Sequence, residues 1–351
     1  MSVGTTLQPL PGFQALDGCN CLAASFHRIC AYNTYPISEE MLLCLGAGVG
    51  FAYLHSKGTL PFIGGRGNVR AFHTALSAPT GIHIHEHTTS SSAKAERELL
   101  AALDTGQPVC VYVDMAYLPY LGLGEEAHFG EHAIVVAAAD SSSRQAIVAD
   151  HDPYMSGVKK GGFYPITLDQ LAQARSSTFK PFPPRNRWFS FNFHSAHPVS
   201  PEAIMASIRQ TTQAMLHPPI RNMGVAGFQT AAQRILKLPE QSDEKTLRAS
   251  LFNFYTYIEV GGSGGGLFRY MVSRFLAEAA QLTGVIALVQ ASRDMHACAE
   301  AWRSAALPLR EAFRHESPHT LALEFADHIQ KIGKMETLVW NDLAETGANY
   351  G

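Results

Sequence analysis

Apolar positions along the chain fall into two regimes that change near residue 195. In the first, residues 21–33 place Leu22, Phe26, Ile29 and Cys30 at helical spacing, and "SEEMLLCLGAG" predicts a second helix with Ser38 as N-cap and glycines as its stop. "PVCVYVDM" (108–115) alternates Val109, Val111 and Val113, "EHAIVVAAAD" (131–140) is a continuous apolar run, and "QAIVAD" (145–150) follows the polar turn "DSSSR". These stretches predict strands of one sheet, the last two paired as a hairpin. A short helix in "ITLDQLAQARSS" and a closing strand in "RWFSFNF" (187–193) complete the pattern.

After "HSAHPVSPEA" strand-type alternation stops and 3.6-residue periodicity takes over in six successive segments, from "SPEAIMASIRQTTQAML" to "HTLALEFADHIQKIGKMETLVW". The expected class is therefore α+β, with a domain at 1–197 built on an antiparallel sheet and an all-helical domain at 198–351. A length of 351 residues suits two domains, each able to bury its own core.

Composition narrows the function classes. Charged residues make up 16% of the chain and the formal net charge is -3, the wrong balance for a dedicated nucleic-acid binder. The N-terminal stretch lacks a basic and then apolar targeting pattern, and no run reaches the roughly 18 apolar residues of a membrane span. The six cysteines, at 19, 21, 30, 44, 110 and 298, follow neither a metal-ligand nor a small secreted-domain spacing. Reduced thiols in a cytoplasmic protein are the expectation.

A cysteine is a useful nucleophile only as thiolate, which a helix N-terminus and a neighbouring histidine both favour. Cys21 directly precedes the apolar stripe, where unpaired N–H groups and the helix dipole favour negative charge. Cys19, in the "DGC" turn, misses most of that field, while Cys30 and Cys44 fall on apolar faces as inert thiols. Among sixteen histidines, His132 opens a strand in "GEHAIVV", and the hairpin partner ends in Asp150, with Asp152 as a close rival. In an antiparallel hairpin the start of one strand lies beside the end of the next, so an acid there can orient the imidazole.

The run "CLAASFHRICAYNTYPISEEMLLCLGAGVGFAYL" resembles the start of the butirosin biosynthesis protein H N-terminal family, and "LGAGVGFAY" (45–53) matches its glycine-rich block. "PVCVYVDMAYLPY", "GEHAIVVAAAD" and "IVADHDPY" resemble its further blocks, and "EVGGSGGGLFRYMVSRFLAEA" (259–279) resembles the helical domain usually fused behind it. The resemblance implies a papain-like fold and acyl transfer from the phosphopantetheine thioester of an acyl carrier protein to a small-molecule amine or alcohol, including ring closure within one acyl chain. On that likeness Cys21 is the nucleophile, 17 residues before Ser38, His132 is the base and Asp150 the orienting acid. Gln14, seven residues before Cys21, is the oxyanion donor of papain-like enzymes. No metal or redox cofactor is implied, and helical C-terminal domains of this size often mediate homodimers. Two positions depart from the family: Asn20 stands where histidine is common, and Ala133 where tyrosine or phenylalanine is usual.

Two other functions fit the same residues. One is a cysteine hydrolase, either thioesterase or peptidase. The other is an inactive module that binds a carrier protein or peptide. "GGSGGGLFR" (261–269) lacks the lysine and the preceding strand of a phosphate loop and reads as a tight turn between helices, although the family likeness turns Glu259 and Arg269 toward the acceptor. "HIHEH" (83–87) puts three histidines on one strand face, without further ligands nearby, and Asp114 reads as structural or pocket-lining. Lys159, Lys160, Arg66 and Arg70 are cations that could meet an acidic carrier.

Overall fold

The computed structural model describes residues 7–56, 58–124, 126–151 and 156–350. In chain order they form α1 (Cys21–Tyr32), α2 (Glu39–Leu45), β1 (Val49–Leu54), β2 (Phe62–Arg66), α3 (Phe72–Ala75), α4 (Ser77–Thr80), β3 (His83–His87), α5 (Ser92–Asp104), β4 (Val109–Val113), β5 (His132–Asp140), β6 (Gln145–His151), β7 (Gly161–Thr167), α6 (Leu168–Ser176) and β8 (Trp188–Asn192). Seven helices follow: α7 (Pro201–Leu216), α8 (Gly224–Leu236), α9 (Leu238–Gln241), α10 (Glu244–Tyr255), α11 (Arg269–Thr283), α12 (Ala287–Ala306) and α13 (Pro318–Ala348). The protein is α+β, as the change of period implies, and a helix followed by an antiparallel sheet is compatible with the papain-like type.

The chain divides into two compact units, one of residues 1–39, 81–153 and 158–197, the other of 40–80, 154–157 and 198–351. One seam between the units lies between residues 197 and 198. Residues 40–80 nevertheless pack within the second unit, where β1 and β2 form a two-stranded hairpin that the glycine-rich sequence does not advertise.

In the first unit all strand pairs are antiparallel, in the order β3-β8-β4-β5-β6-β7. Consecutive strand residues face opposite ways, and β8 shows what lies on each side. Phe189 meets Phe26 of α1 edge-on at 5.2 Å, whereas Trp188 turns to α5 and donates its indole N–H to Glu98. Thus α1 covers one face, and α5 and α6 close the other over a core that includes Leu99, Val111, Ile134, Val136, Val148 and Leu171. The α6 helix starts where Thr167 and Gln170 form a reciprocal capping box.

The β5–β6 hairpin contains the feature that matters most for chemistry. Ala138 pairs with Ile147 near the turn, but beyond a bulge Val136 pairs with Val148 and Val135 with Ala149. The extra residue shifts the register by one, and a one-residue shift reverses which side chains share a face. Asp150 consequently falls on the face of His132 and Ile134; the turn-side register, carried through, would have put His151 there.

In the second unit α7, α8, α11, α12 and α13 pack around a buried polar centre. Glu336 of α13 accepts from Arg269 Nε (2.7 Å) and Nη2 (2.8 Å) and from the indoles of Trp302 (2.6 Å) and Trp340 (3.0 Å). No helix among the described residues is long and apolar enough to cross a membrane.

Candidate active site

Helix α1 begins at Cys21 because Asn20 caps it. Asn20 is extended (φ -107°, ψ 125°), its side-chain oxygen accepts from the Ala23 N–H at 3.1 Å, and its carbonyl accepts from Ala24 at 2.8 Å. The approach to the helix is fixed from both sides. The buried Glu39 carboxylate accepts the Cys19 N–H (2.9 and 3.1 Å) and the Asn20 N–H (2.6 Å), while Gly18 and Lys159 exchange two backbone bonds. A Cβ on Gly18 would come within 2.4 Å of the Ala24 Cβ, so glycine is required by close approach.

None of the six cysteines is in a disulfide, and Cys21 is the one that is half-buried rather than buried. Burial pushes the thiols of Cys30 and Cys298 up to about 12, that of Cys44 well above its ordinary value, and that of Cys110 upward likewise. Buried thiols that resist ionisation are inert, which sets these four apart from the half-buried Cys21.

His132, first residue of β5, receives Cys21 and Asp150 together. Its Nε2 lies 2.7 Å from Asp150 Oδ2, and the Cys21 side chain acts on the same ring, adding to its basicity. The Cys21 Sγ also lies 3.9 Å from the Glu131 carbonyl oxygen. Burial by itself lowers the basicity of His132, but the charge and hydrogen bond of Asp150, with the Cys21 contact added, outweigh it and push the imidazolium up to about 10. Asp150 is fully buried; desolvation opposes its ionisation, yet His132 and the His151 N–H hold it below the ordinary carboxylate range.

The raised imidazolium gives a stability prediction. An unfolded histidine titrates near about 6.5, so the stabilisation from His132 is fully present below that pH and is lost as pH rises through about 10. The difference in unfolding free energy between wild type and His132→Gln should therefore shrink steadily from pH 6 to pH 10 in urea titrations. A constant difference would contradict it.

Sequence reasoning missed the groups behind the carboxylate. Tyr120 donates its phenol to Asp150 Oδ2 at 2.9 Å, and the His151 N–H donates to Oδ1 at 2.8 Å. Arg28 of α1 approaches His151 Nδ1 with Nη2 at 3.4 Å; since arginine only donates, Nδ1 accepts and His151 is the neutral Nε2–H tautomer. Burial drives His151 down to about 3, in agreement with that assignment. A charge at Arg28 inside the apolar stripe of α1 was a usable signal for a buried partner, whereas nothing in "AYLPYL" marked Tyr120.

Other sequence-derived residues are placed as follows. Gln14 is exposed in the loop before α1 and makes no side-chain hydrogen bond among the described residues; Asp152 lies outside them. Lys159 is buried, not a surface cation, and Arg66 is half-buried with its guanidinium 5.0 Å over the Phe72 ring, while Lys160 and Arg70 are exposed. Asp114 is a buried organiser, accepting from His128 (2.8 Å), Ser177 (2.6 Å) and the Phe129 N–H (3.0 Å). His87 stacks on Trp188 and bonds Ser190 on the sheet-edge strand β3, and the described residues contain no metal-type cluster of histidine, cysteine and acid. Glu259 is engaged within its own unit, accepting from the Gly266 N–H (2.8 Å) and the Ser156 hydroxyl (2.9 Å). Its carboxylate takes up the Gly266 N–H, one of the loop donors that a phosphate would need.

Fold and site together define an α+β protein in which a helix-terminal thiol, a strand-opening imidazole and a buried carboxylate converge. Residues 20–151 match the model of the family described as butirosin biosynthesis protein H, N-terminal, and residues 169–343 match a domain of unknown function (DUF4872). A search of curated proteins gives no match.

Proposed function

We propose that the protein is a cysteine-dependent acyltransferase of antibiotic-type secondary metabolism that takes an acyl group from an acyl-carrier-protein thioester. The observation that carries this reading is the His132–Asp150 pair, Nε2 2.7 Å from the buried Oδ2, on a ring whose basicity is also raised by the Cys21 thiol that opens α1. The family named for butirosin biosynthesis supports the pathway class.

In the first half-reaction the Cys21 thiolate attacks the thioester carbonyl, the bond to the pantetheine sulfur breaks, and His132 gives its proton to the leaving thiolate. In the second, an amine or alcohol attacks acyl-Cys21, passes a proton to His132 and expels Cys21 as thiolate. Asp150 stabilises the imidazolium and fixes the ring so that Nδ1 addresses sulfur. The positive end of α1 favours charge at the reacting centre, and the exposed Gln14 amide is assigned as oxyanion donor. The chain's own groups supply every proton movement, and the free thiols suit a reducing cytoplasm.

The test is alkylation by limiting iodoacetamide at pH 6 followed by peptide mapping. An ordinary thiol near pKa 8.5 is only about 0.3% thiolate there, so an activated one stands out. Cys21 should be modified ahead of the other five, and His132→Ala should remove the preference. Equal, slow labelling of all six would favour an inactive binding module. A reactive Cys21 that releases free acid from a thioester even with amine present would identify a hydrolase.

A further inference from the structure

We infer that Tyr120 is a positioning residue that shares the Asp150 carboxylate with His132 and so sets how firmly the imidazole holds its proton. The inference rests on the transferase reading of the site.

Its basis is geometric. Tyr120 Oη and His132 Nε2 converge on one oxygen, Asp150 Oδ2, at 2.9 and 2.7 Å, while Oδ1 is taken by the His151 N–H at 2.8 Å. The phenol is held in place by stacking on Tyr164 of β7, with centroids 4.3 Å apart and planes 13° from parallel. It also sits in the 3-10 turn Pro119–Leu121, which Gly122 ends in a left-handed conformation (φ 60°). This turn follows β4 on the side of the sheet covered by α5 and α6, where Leu118 and Leu121 enter the same core as Ile134 and Val148. A tyrosine clamped this way has one polar atom to satisfy, and it satisfies it on Asp150.

The chemical consequence follows from the work His132 does. A buried, fully charged carboxylate with the imidazole as its one strong donor would hold the imidazolium so tightly that it would neither release a proton to the departing thiolate nor act as a base near neutral pH. A neutral phenol on the same oxygen draws off part of that charge without adding one of its own. Burial and Asp150 raise the Tyr120 hydroxyl well above its ordinary value, so it stays a donor across the working range. Among the described residues, charged or titratable groups that act on Tyr120, His132, Asp150 or His151 include Cys21 and Arg28 from α1, Tyr164 of β7, His151 of β6 and Lys159 before β7. Burial first, then the charges of Arg28 and Lys159, oppose a positive His151, which keeps that ring neutral and leaves Tyr120 as the adjustable donor.

The test is the pH dependence of Cys21 alkylation by iodoacetamide in wild type and Tyr120→Phe, from pH 4.5 to 11.5. The upper step, at which His132 loses its proton, should move up by about half a unit or more in the variant, because one fewer hydrogen bond shares the Asp150 charge. Phenylalanine keeps the ring stack, and long-range proton–nitrogen NMR of the His132 ring reads the same protonation without relying on alkylation. An upper step and a His132 titration both unmoved in a folded variant would overturn the role of Tyr120. If wild-type Cys21 reacts like an ordinary thiol throughout, the transferase reading fails, while the NMR titration still decides the Tyr120 inference by itself.

Discussion

Cys21→Ser should lose acyl transfer by about four orders of magnitude or more, since removing a covalent nucleophile from a set of groups that act as one unit forfeits most of what the set contributes. Incubated with an acyl-carrier thioester and no acceptor, the wild-type chain should gain the mass of one acyl group, mapped to the peptide that begins α1, and Cys21→Ser should gain none. The variant should be nearly as stable as wild type, because the side chain is half-exposed and a hydroxyl fills its space. Acyl mass on Cys19 would move the nucleophile by two residues, into the turn that Glu39 holds closed. That outcome is disfavoured physically, because Cys19 is buried and precedes the cap, outside the positive end of the helix.

Glu336→Ala should produce the largest loss of stability of any single change in the helical unit, roughly 3–5 kcal/mol. Both members of the Arg269–Glu336 pair are fully buried, and the carboxylate is also the acceptor for two indole N–H groups. Its removal strands a guanidinium that simultaneously binds the Gly50 and Leu267 carbonyls (2.9 and 2.8 Å). Leu267 has a left-handed backbone (φ 49°) in the glycine-rich turn, a strained conformation held by what surrounds it. Gly266 beside it has φ 53°, and a Cβ there would meet the Ala299 carbonyl at 2.8 Å. Urea unfolding should show a lower midpoint, and the double change Arg269→Met with Glu336→Leu should recover most of the loss, since an apolar pair leaves no buried charge unpaired. Equal destabilisation by the single and double variants would mean that packing volume, not the ion pair, carries the effect.

The elements carried by strong period or by a cap were legible in the chain. Residues 21–33, 108–115, 131–140 and 145–150 became α1, β4, β5 and β6 within a residue or two, because apolar spacing decides which face each can bury. The hairpin β1–β2 and strand β7 were not, since "LGAGVGFAY" and "GGFYPIT" mix glycine with apolar residues and fit no single period. Helix α11 begins only at Arg269 because Leu267 and Phe268 take left-handed backbone that periodicity does not reveal.

Local chemistry in the sequence determined that a thiol would open a helix, that a histidine would open a strand and that an acid would end the next. Those follow from residue type and spacing, which act over one or two turns. Only the tertiary structure decided that the three meet. A one-residue bulge near Ala137 turns Asp150 rather than His151 toward the His132 face, and the length of a polar turn does not specify a bulge inside the strand. Contacts made across long stretches of chain decided the rest: Glu39 holding the backbone before Cys21, Tyr120 on the carboxylate thirty residues away, and Lys159 drawn into the interior. Such groups are fixed by what remains to be satisfied once the core has closed, and that demand exists only in the folded chain.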